Sequence, residues 1–373
     1  MMRTLLWKNL LFDKLRFFIA VAGISFSAFL ITVQADLLFS FTRSASRIID
    51  AADASIWIMP KGVPCFDYAA PMPRGVKELA FGVPGVHSVG LVAAGFASLQ
   101  KPDGQRQAVL IVGVEREFAG RIPSPSKLET GQGYFRNATV DISDVDLFGE
   151  SKLPYDVEVA SKGARITAVT TGFSSFLGTP FVFAEYRDAL DLLAVPAEKT
   201  MFIVVKLTPG TAIEDARSNL HARLPEYDIW STEEFSQRAR SFWLLQTGAG
   251  GALLLAATLG FMVGLAIVTQ TMYASTMEHI EEFATLKALG ATRGYVFRLV
   301  AGQSFLCGLV GTTIGFLAVP PTVTAARSVI TWIEAPVMTY GIVGAILILL
   351  CLLAAILAVQ PAMRIEPGRV FRA

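Results

Sequence analysis

The chain has 373 residues, of which 53% are hydrophobic and only 17% are charged, and its net charge is +1. A soluble domain carries about 25% charged residues, so this composition argues against a soluble protein and favours a membrane protein. The near-zero net charge provides no basic field for nucleic acid, and we expect no nucleic-acid partner.

Residues 1–16 have the pattern of an amphipathic helix that lies along the cytoplasmic surface of the membrane. Apolar side chains recur at helical spacing, and the charged side chains fall largely between them. Basic residues on such a helix contact anionic lipid headgroups. These basic residues are Arg3, Lys8, Lys14 and Arg16. A simpler alternative is a positively charged leader that only orients the first span.

Four long stretches contain no charged side chain, namely residues 17–35, 241–277, 299–326 and 335–363. A bilayer core of about 30 Å needs roughly 20 helical residues, so each stretch predicts a transmembrane helix. The predicted spans are residues 17–38, 245–275, 299–326 and 335–361. The first stretch exceeds the roughly 7–15 apolar residues of a cleaved signal peptide, and we expect it to be retained as an anchor.

The second stretch is longer than a bilayer requires. As a helix, residues 241–277 would extend for about 55 Å at roughly 1.5 Å per residue. Two interpretations are open. The helix projects beyond the membrane and carries motion from one side to the other, or it is a tilted span with a polar end.

Residues 41–240 predict a large α+β domain in one or two lobes. Pro and Gly clusters divide this region into short segments, as in a domain with many turns. Apolar, β-branched runs between them predict strands at residues 109–114, 157–160, 180–184 and 202–207. Helical patterns occupy residues 185–193 and 213–224. We therefore predict four transmembrane helices and an extracytoplasmic α+β domain.

The distribution of Lys and Arg predicts the orientation in the membrane. Positive residues are concentrated in the N-terminal flank, in the loop between the second and third spans, and in the C-terminal tail, residues 362–373. The loop between the third and fourth spans has only Arg327. Cytoplasmic loops carry the excess of Lys and Arg, so both termini are expected in the cytoplasm of a cell with the protein in its inner membrane.

Residues 276–298 predict a short amphipathic helix on the cytoplasmic side. Apolar residues form one stripe and glutamates the other, Gly290 is a natural helix end, and Thr292 can cap the next helix. Such a helix is suited to docking in the groove of a partner protein. The alternative is a hairpin that only connects two spans.

The sequence has no recognisable catalytic or metal-binding pattern. It lacks a G-x-x-x-x-G-K-[ST] phosphate loop, and His87, His221 and His279 are too far apart in the predicted topology to share a metal. The three cysteines are expected to be buried, unpaired thiols. The spans have no interior Asp or Glu, which argues against a proton relay. Gln270 and Gln303 are expected to form interhelical hydrogen bonds, and the glycines of residues 248–251 to pack helices.

The run Thr285-Leu286-Lys287-Ala288-Leu289-Gly290-Ala291-Thr292 resembles the signature of the FtsX/MacB-type permeases of ABC systems. The N-terminal stretch, with Asn9-Leu10 and Gly23-Ile24, and the tail, with Pro361-Ala362 and Pro367, are similar too. So is the order of one span, a large exterior domain and three further spans. Together with Ile56-Trp57-Ile58-Met59, the signature looks most like the DevC branch.

This resemblance implies the permease subunit of a mechanotransmitting ABC exporter, which forms a homodimer and has no nucleotide site or cofactor of its own. ATP would be bound by a separate ATPase docked on the amphipathic helix predicted within residues 276–298. The implied coupling residues are Glu278, Glu281, Glu282, Phe283, Leu286, Lys287, Leu289 and Gly290. A DevC-like protein would also work with a periplasmic adaptor and an outer-membrane channel.

Two alternatives differ in function. The same machine could, like FtsX or LolC, activate cell-wall hydrolases or extract lipoproteins rather than export a substrate. A protein of another class, a membrane-anchored receptor or enzyme, would have an exterior domain that acts alone.

Overall fold

The structure is a computed structural model that describes residues 14–101, 104–124, 136–148, 153–278, 285 and 290–364. The chain divides into two compact units. The helical unit contains residues up to 40, 252–328 and from 333 onwards, and the α+β unit contains residues 41–251 and 329–332.

The helices are numbered in chain order. They are α1 (Lys14–Ala51), α2 (Val76–Phe81), α3 (Val145–Phe148), α4 (Tyr186–Leu192), α5 (Ile213–Arg223), α6 (Thr232–Ser241), α7 (Gly248–Glu278), α8 (Arg293–Ala326) and α9 (Val337–Arg364). Within the described residues, α1, α7, α8 and α9 are the helices long and apolar enough to cross a membrane.

The strands are likewise numbered in chain order. They are β1 (Ile56–Pro60), β2 (Met72–Pro73), β3 (Val86–Gln100), β4 (Arg106–Val114), β5 (Arg136–Asp141), β6 (Tyr155–Val159), β7 (Lys162–Thr170), β8 (Phe181–Glu185), β9 (Lys199–Thr200), β10 (Phe202–Leu207) and β11 (Tyr227–Ser231). The predicted fold class, four long apolar helices with a large α+β domain, is confirmed.

In the helical unit, glycines of α7 and α8 let these helices approach α1 closely. A Cβ atom on Gly315 of α8 would lie 2.5 Å from the carbonyl oxygen of Ser25, and one on Gly264 of α7 would lie 2.7 Å from Ile31 Cδ1. A larger residue at Gly315 would push α8 away from the α1 backbone, and one at Gly264 would displace the Ile31 side chain. Such close contact is the usual way in which transmembrane helices associate, because small residues allow extensive van der Waals packing.

The α+β unit is built on one nine-stranded sheet, in the order β11-β1-β10-β3-β4-β8-β5-β7-β6. The end of β3 also pairs with β6, Leu99 opposite Val159, so six strands from β3 to β6 form a closed ring. The first half of β3 pairs with β10 in the open part of the sheet. The two lobes considered from the sequence are therefore two parts of one sheet, joined by β3.

The strand and helix predictions in this unit agree with the structure to within a few residues. The predicted strand at residues 202–207 coincides with β10, and the predicted helix at 213–224 ends one residue beyond α5. Strand β3 was not predicted. Gly90, Ala93, Ala94 and Gly95 interrupt its β-branched pattern, and Gly90 is needed because a Cβ there would lie 2.2 Å from Phe118 Cδ2.

The ends of two predicted spans differ from the helices. The first helix continues past residue 38 to Ala51, since the sequence has no Gly or Pro between Gly23 and Pro60. The helix predicted at 245–275 begins at Gly248 instead, after a break at Thr247. Residues 1–13 of the predicted interfacial helix lie outside the described residues.

Three expectations about polar and small residues need correction. Asp36 is fully buried within α1, so the described spans do contain an interior acid. Gln270 is exposed on α7, and neither it nor Gln303 forms a hydrogen bond with another described residue. In the 248–251 run, Gly250 contacts the backbone of the preceding turn rather than a second helix.

Candidate functional site

The predicted ATPase-docking surface follows α7, and most of it lies outside the described residues. Glu278 is the last residue of α7, and Gly290 is described. The remaining predicted residues, Glu281, Glu282, Phe283, Leu286, Lys287 and Leu289, lie outside the described part of the chain. Their role in docking stays a prediction.

Gly290 has the backbone conformation that a helix-ending glycine requires. Its φ is +94°, in the region that favours glycine, and no heavy atom lies within 4 Å of a Cβ built there. Thr292 follows at the N-cap of α8, where its carbonyl oxygen accepts from the Tyr295 N–H at 2.9 Å. Its side chain forms no capping hydrogen bond, contrary to the sequence-based prediction.

Two groups of side chains in the α+β unit hold the end of α6 and the turn after it, and together we call them the helix clamp. Ser46, Asp50 and Arg240 join α6 to the end of α1, and Asp67 bonds to Trp243 in the turn. Arg240 donates from Nη2 to Asp50 Oδ2 at 2.7 Å and from Nε to Ser46 Oγ at 2.8 Å. Ser46 Oγ in turn donates to Asp50 Oδ2 at 2.8 Å. The three side chains thus form a closed hydrogen-bonded group between the two helices.

The second half of the helix clamp anchors Trp243 to the domain core. Trp243 Nε1 donates to Asp67 Oδ2 at 3.0 Å, and both residues are buried. Burial raises the pKa of Asp67 to about 6, although the Trp243 N–H acts in the opposite direction by favouring the carboxylate. The Trp243 ring also packs edge-on against Phe176, with centroids 4.9 Å apart.

Between the helix clamp and α7 the chain makes a tight turn. Helix α6 passes into a π-helical turn, Phe242–Gln246, which ends at the extended residue Thr247. Thr247 Oγ1 donates to the Trp243 carbonyl at 2.5 Å and accepts from the Gly250 N–H at 3.2 Å. A Cβ on Gly250 would lie 2.0 Å from the Trp243 carbonyl oxygen, so only glycine fits. π-Helices are rare, occur mostly as single turns, and are frequently found at functional sites.

Helix α7 has the largest unpartnered surface of the four apolar helices. In the most apolar 18-residue segment of α7, 11% of the residues are buried, against 33–39% in the corresponding segments of α1, α8 and α9. A shallow groove runs along this surface, lined by Met262, Leu265, Ala266, Thr269, Gln270 and Tyr273. Their spacing of three and four residues places them on one face of the helix. This face, which we call the α7 stripe, mixes apolar residues with a Gln amide.

The sequence contains signals for parts of this site. The lack of Gly and Pro after Gly23 predicts that α1 extends to the region of Ser46 and Asp50. Ser231 and Glu234 have the capping-box spacing that predicts the start of α6, and both bonds of the box are present. Nothing in the sequence links Asp67 to Trp243, which are 176 positions apart.

The described residues contain no cluster of His, Cys, Asp or Glu able to hold a metal. Cys65, Cys307 and Cys351 are buried free cysteines, as predicted. Burial raises the pKa of Cys65 to about 12, which leaves its thiol without nucleophilic character.

A known family model matches the C-terminal part of the chain. Residues 254–367 match the family model described as FtsX-like permease C-terminal. No curated protein matches the chain by sequence.

Two solved structures are similar to the α+β part of the chain. The periplasmic region of MacB from Actinobacillus actinomycetemcomitans has 13% identity and a TM-score of 0.36, over 51% of this chain and 94% of that one. The extracellular domain of the noncanonic ABC-type transporter YknZ from Gram-positive bacteria has 12% identity and a TM-score of 0.33, over 48% and 98%.

The family match lies on three of the four apolar helices, α7, α8 and α9, and includes the segment in which the sequence predicts the docking helix. Residues 254–367 therefore have the sequence pattern of the C-terminal part of FtsX-like permeases.

Proposed function

We propose that the chain is the permease subunit of a mechanotransmitting ABC exporter, in which a separate ATPase drives movement of the α+β domain. The helix clamp is the observation that carries this proposal. It fixes the end of α6 to the end of α1, and α7 begins at Gly248, directly after the π-helical turn. A displacement of α7 would therefore be passed to the domain at Trp243 instead of being lost in a flexible linker.

The ATPase is proposed to dock on the segment from Glu278 to Gly290. The amphipathic pattern of this segment supports the proposal, because a helix with one apolar face can fill a groove in a partner. The positive φ of Gly290 supports a defined helix end at this position. In this arrangement the chain itself hydrolyses no ATP.

A homodimer is proposed to form through the α7 stripe. An exposed Gln amide within a membrane span has no water to bond with, and a second amide across a two-fold axis can satisfy it. Gln270 lies on the stripe among Met262, Ala266 and Tyr273, so the same surface on two copies is self-complementary. The large unpartnered area of α7 is consistent with such a contact.

The proposed location is the inner membrane, with both termini and residues 276–298 in the cytoplasm and the α+β domain outside it. The distribution of Lys and Arg supports this orientation. Within the family we propose the DevC branch, which adds a periplasmic adaptor and an outer-membrane channel as partners.

Isolation of the complex from membranes tests the proposed function. An ABC ATPase is expected to co-purify with the chain, and an adaptor protein would accompany it if the protein exports a substrate. A cell-wall hydrolase or a lipoprotein in place of the adaptor would support the alternative functions. A complex without any ATPase would contradict the proposal.

Two variants of the docking segment give a sharper test. Leu286→Asp should weaken ATPase binding by about 2 kcal/mol or more, which is over tenfold in affinity, because it removes an apolar anchor. Gly290→Val should also weaken binding, since a β-branched residue is strained at φ +94°. Co-purification of the ATPase at equal membrane abundance measures both effects.

The matched control is Gly290→Asn, since Asn tolerates positive φ better than Val and the space around the Cβ position is open. This variant should retain most of the ATPase. Wild-type amounts of ATPase with both Leu286→Asp and Gly290→Val would show that the segment is only a connector.

A further inference from the structure

A polar stripe on α1 faces the interior of the helical unit. Thr32, Asp36 and Ser40 are spaced by four residues, and each is fully buried. Ser40 Oγ accepts from the backbone N–H of Glu334 at 2.9 Å and donates to its carbonyl at 3.1 Å. One turn away, Asp36 contacts Thr339 in the first turn of α9. An ionisable residue inside a membrane bundle is expensive, and it therefore marks a functional site.

The Thr339 hydroxyl lies close to two acceptor oxygens but has only one hydrogen to donate. Thr339 Oγ1 lies 2.6 Å from Asp36 Oδ1 and 2.5 Å from the carbonyl oxygen of Pro336. A hydroxyl has a single hydrogen, so it can donate to one of these acceptors only. If it donates to Pro336, the short contact with Asp36 requires a proton on the carboxyl group.

The remaining surroundings of Asp36 also disfavour a carboxylate. Asp36 Oδ2 is buried and has no hydrogen-bond partner, and Asp36 forms no ion pair with another described residue. A buried carboxylate with one neutral donor at most would be costly, because charge is poorly solvated in such an environment. A neutral acid that donates to Thr339 Oγ1, which donates to Pro336, gives each proton one acceptor.

We propose that Asp36 is a proton-binding site of the helical unit, which holds a proton while α1 is packed against the start of α9. When these helices separate, the carboxyl group releases the proton to water and becomes a hydrated carboxylate. The packed arrangement binds one more proton than the separated one, so a rise in pH favours separation. Proton binding at Asp36 needs neither the ATPase nor a particular substrate.

The other titratable groups near this contact belong to the segments before and within α9. Tyr340 follows Thr339 and packs edge-on against Phe316 of α8. Glu334 provides the backbone groups that bond Ser40, and Arg327 Nε donates to the carbonyl of Ile333 at 3.2 Å. The proposed titration belongs to Asp36, and Asp36→Asn distinguishes it from these groups.

Infrared spectroscopy of the full chain in lipid nanodiscs tests the proposal. The background carries Asp67→Asn and Asp144→Asn, because burial raises the pKa values of these carboxyls to about 6 and about 7. At about pH 7, well above the ordinary Asp pKa of about 3.9, a carboxylic-acid C=O band is expected. The band should be lost when Asp36→Asn is added. A spectrum that Asp36→Asn leaves unchanged would overturn the proposal.

A second pair of variants, at Thr339, tests the proposal if the Asp36→Asn protein does not accumulate in the membrane. Thr339→Val removes the hydroxyl that accepts from the acid, so the C=O band should move to higher frequency. Thr339→Ser keeps the hydroxyl and should leave the band in place. Equal spectra for these two variants would mean that no protonated carboxyl contacts residue 339, which also overturns the proposal.

Discussion

The helical unit and the α+β domain are held together by different kinds of residue. The buried cluster of the domain consists largely of Ile, Val, Leu and aromatic side chains, as around Phe148. Among the described residues, the buried cluster of the helical unit has no aromatic member; half of it is Ala and Cys and the other half Ile, Val and Leu, and glycines of α7 and α8 contact α1 closely.

The difference follows from the two solvents. In water, burying large apolar side chains stabilises a domain by about 25 cal/mol per Å² of apolar surface. In lipid the surroundings are as apolar as the side chains, so helices associate through close packing and hydrogen bonds instead. Large apolar side chains therefore suit the core of the α+β domain, and close packing at small residues suits the membrane helices.

Two buried carboxyl groups, one in each unit, also differ in their hydrogen-bond partners. In the domain, Asp141 accepts from the backbone N–H of Ser143 at 3.0 Å, from Ser143 Oγ at 2.7 Å and from the Phe173 N–H at 2.6 Å. In the helical unit, Asp36 has one hydroxyl neighbour and one oxygen without a partner. Asp141 therefore has three donors within the domain, whereas Asp36 has a single hydroxyl neighbour.

The largest effect is expected from removing a large side chain in the domain. Phe202 is fully buried, and its ring stacks on Phe66 with centroids 5.3 Å apart. Phe202→Ala should destabilise the domain by about 3–5 kcal/mol, through lost burial and the cavity that remains. The control Phe96→Ala, at a ring that is 50% exposed, should have little effect. Denaturant unfolding followed by domain tryptophan fluorescence measures both, and similar losses would contradict this account of the core.

The opposite change should destabilise the helical unit. Gly315→Leu places a side chain against the Ser25 carbonyl and Ala28 Cβ, which a Cβ alone approaches to 2.5 and 2.7 Å. We expect a loss of about 3 kcal/mol from overpacking. Gly341→Leu is the matched control, because no heavy atom lies within 4 Å of a Cβ on this α9 glycine. The apparent melting temperature of the full chain in detergent should fall for Gly315→Leu alone.

The sequence predicted the elements whose pattern is local. The charge-free stretches located all four apolar helices, and the β-branched run at Phe202–Leu207 located β10. Strand β3 was missed because its glycines and alanines are there for distant neighbours, as Gly90 is for the Phe118 ring. A local pattern does not contain that information.

The candidate site was predictable to a smaller extent. The positive φ of Gly290 was expected from its place after an amphipathic stripe. The helix clamp was not, because Asp50 and Arg240 are 190 positions apart and neither is unusual in its local sequence. Asp36 lies near the end of the predicted span 17–38, directly after the charge-free stretch, and the sequence prediction did not treat it as an interior acid. The spacing of Thr32, Asp36 and Ser40 indicates one buried helix face.

The smallest effect is expected at Asp67, a buried acid of the α+β domain. Asp67 is 7% exposed and its folded-state pKa is about 6, above the ordinary value of 3.8. The folded state therefore binds the proton more tightly than the unfolded state, and stability falls as the pH rises from about 4 to about 6. A pKa difference of about two corresponds to about 3 kcal/mol at most. Above this window the wild type has lost that contribution.

Asp67→Asn should raise the apparent melting temperature at pH 7–8 and remove this part of the pH dependence, since an amide oxygen can still accept from Trp243 Nε1 without carrying charge. Asp156→Asn is the opposing control. Arg165 bonds to Asp156 and lowers its pKa, so Asp156 contributes stability above its unfolded pKa and loses it as the pH falls. Asp156→Asn should therefore lower the melting temperature slightly at pH 7. If Asp67→Asn instead lowers the melting temperature at pH 7–8, the hydrogen bond from Trp243 requires the charged carboxylate. The stabilisation from that bond then outweighs the cost of burying the charge.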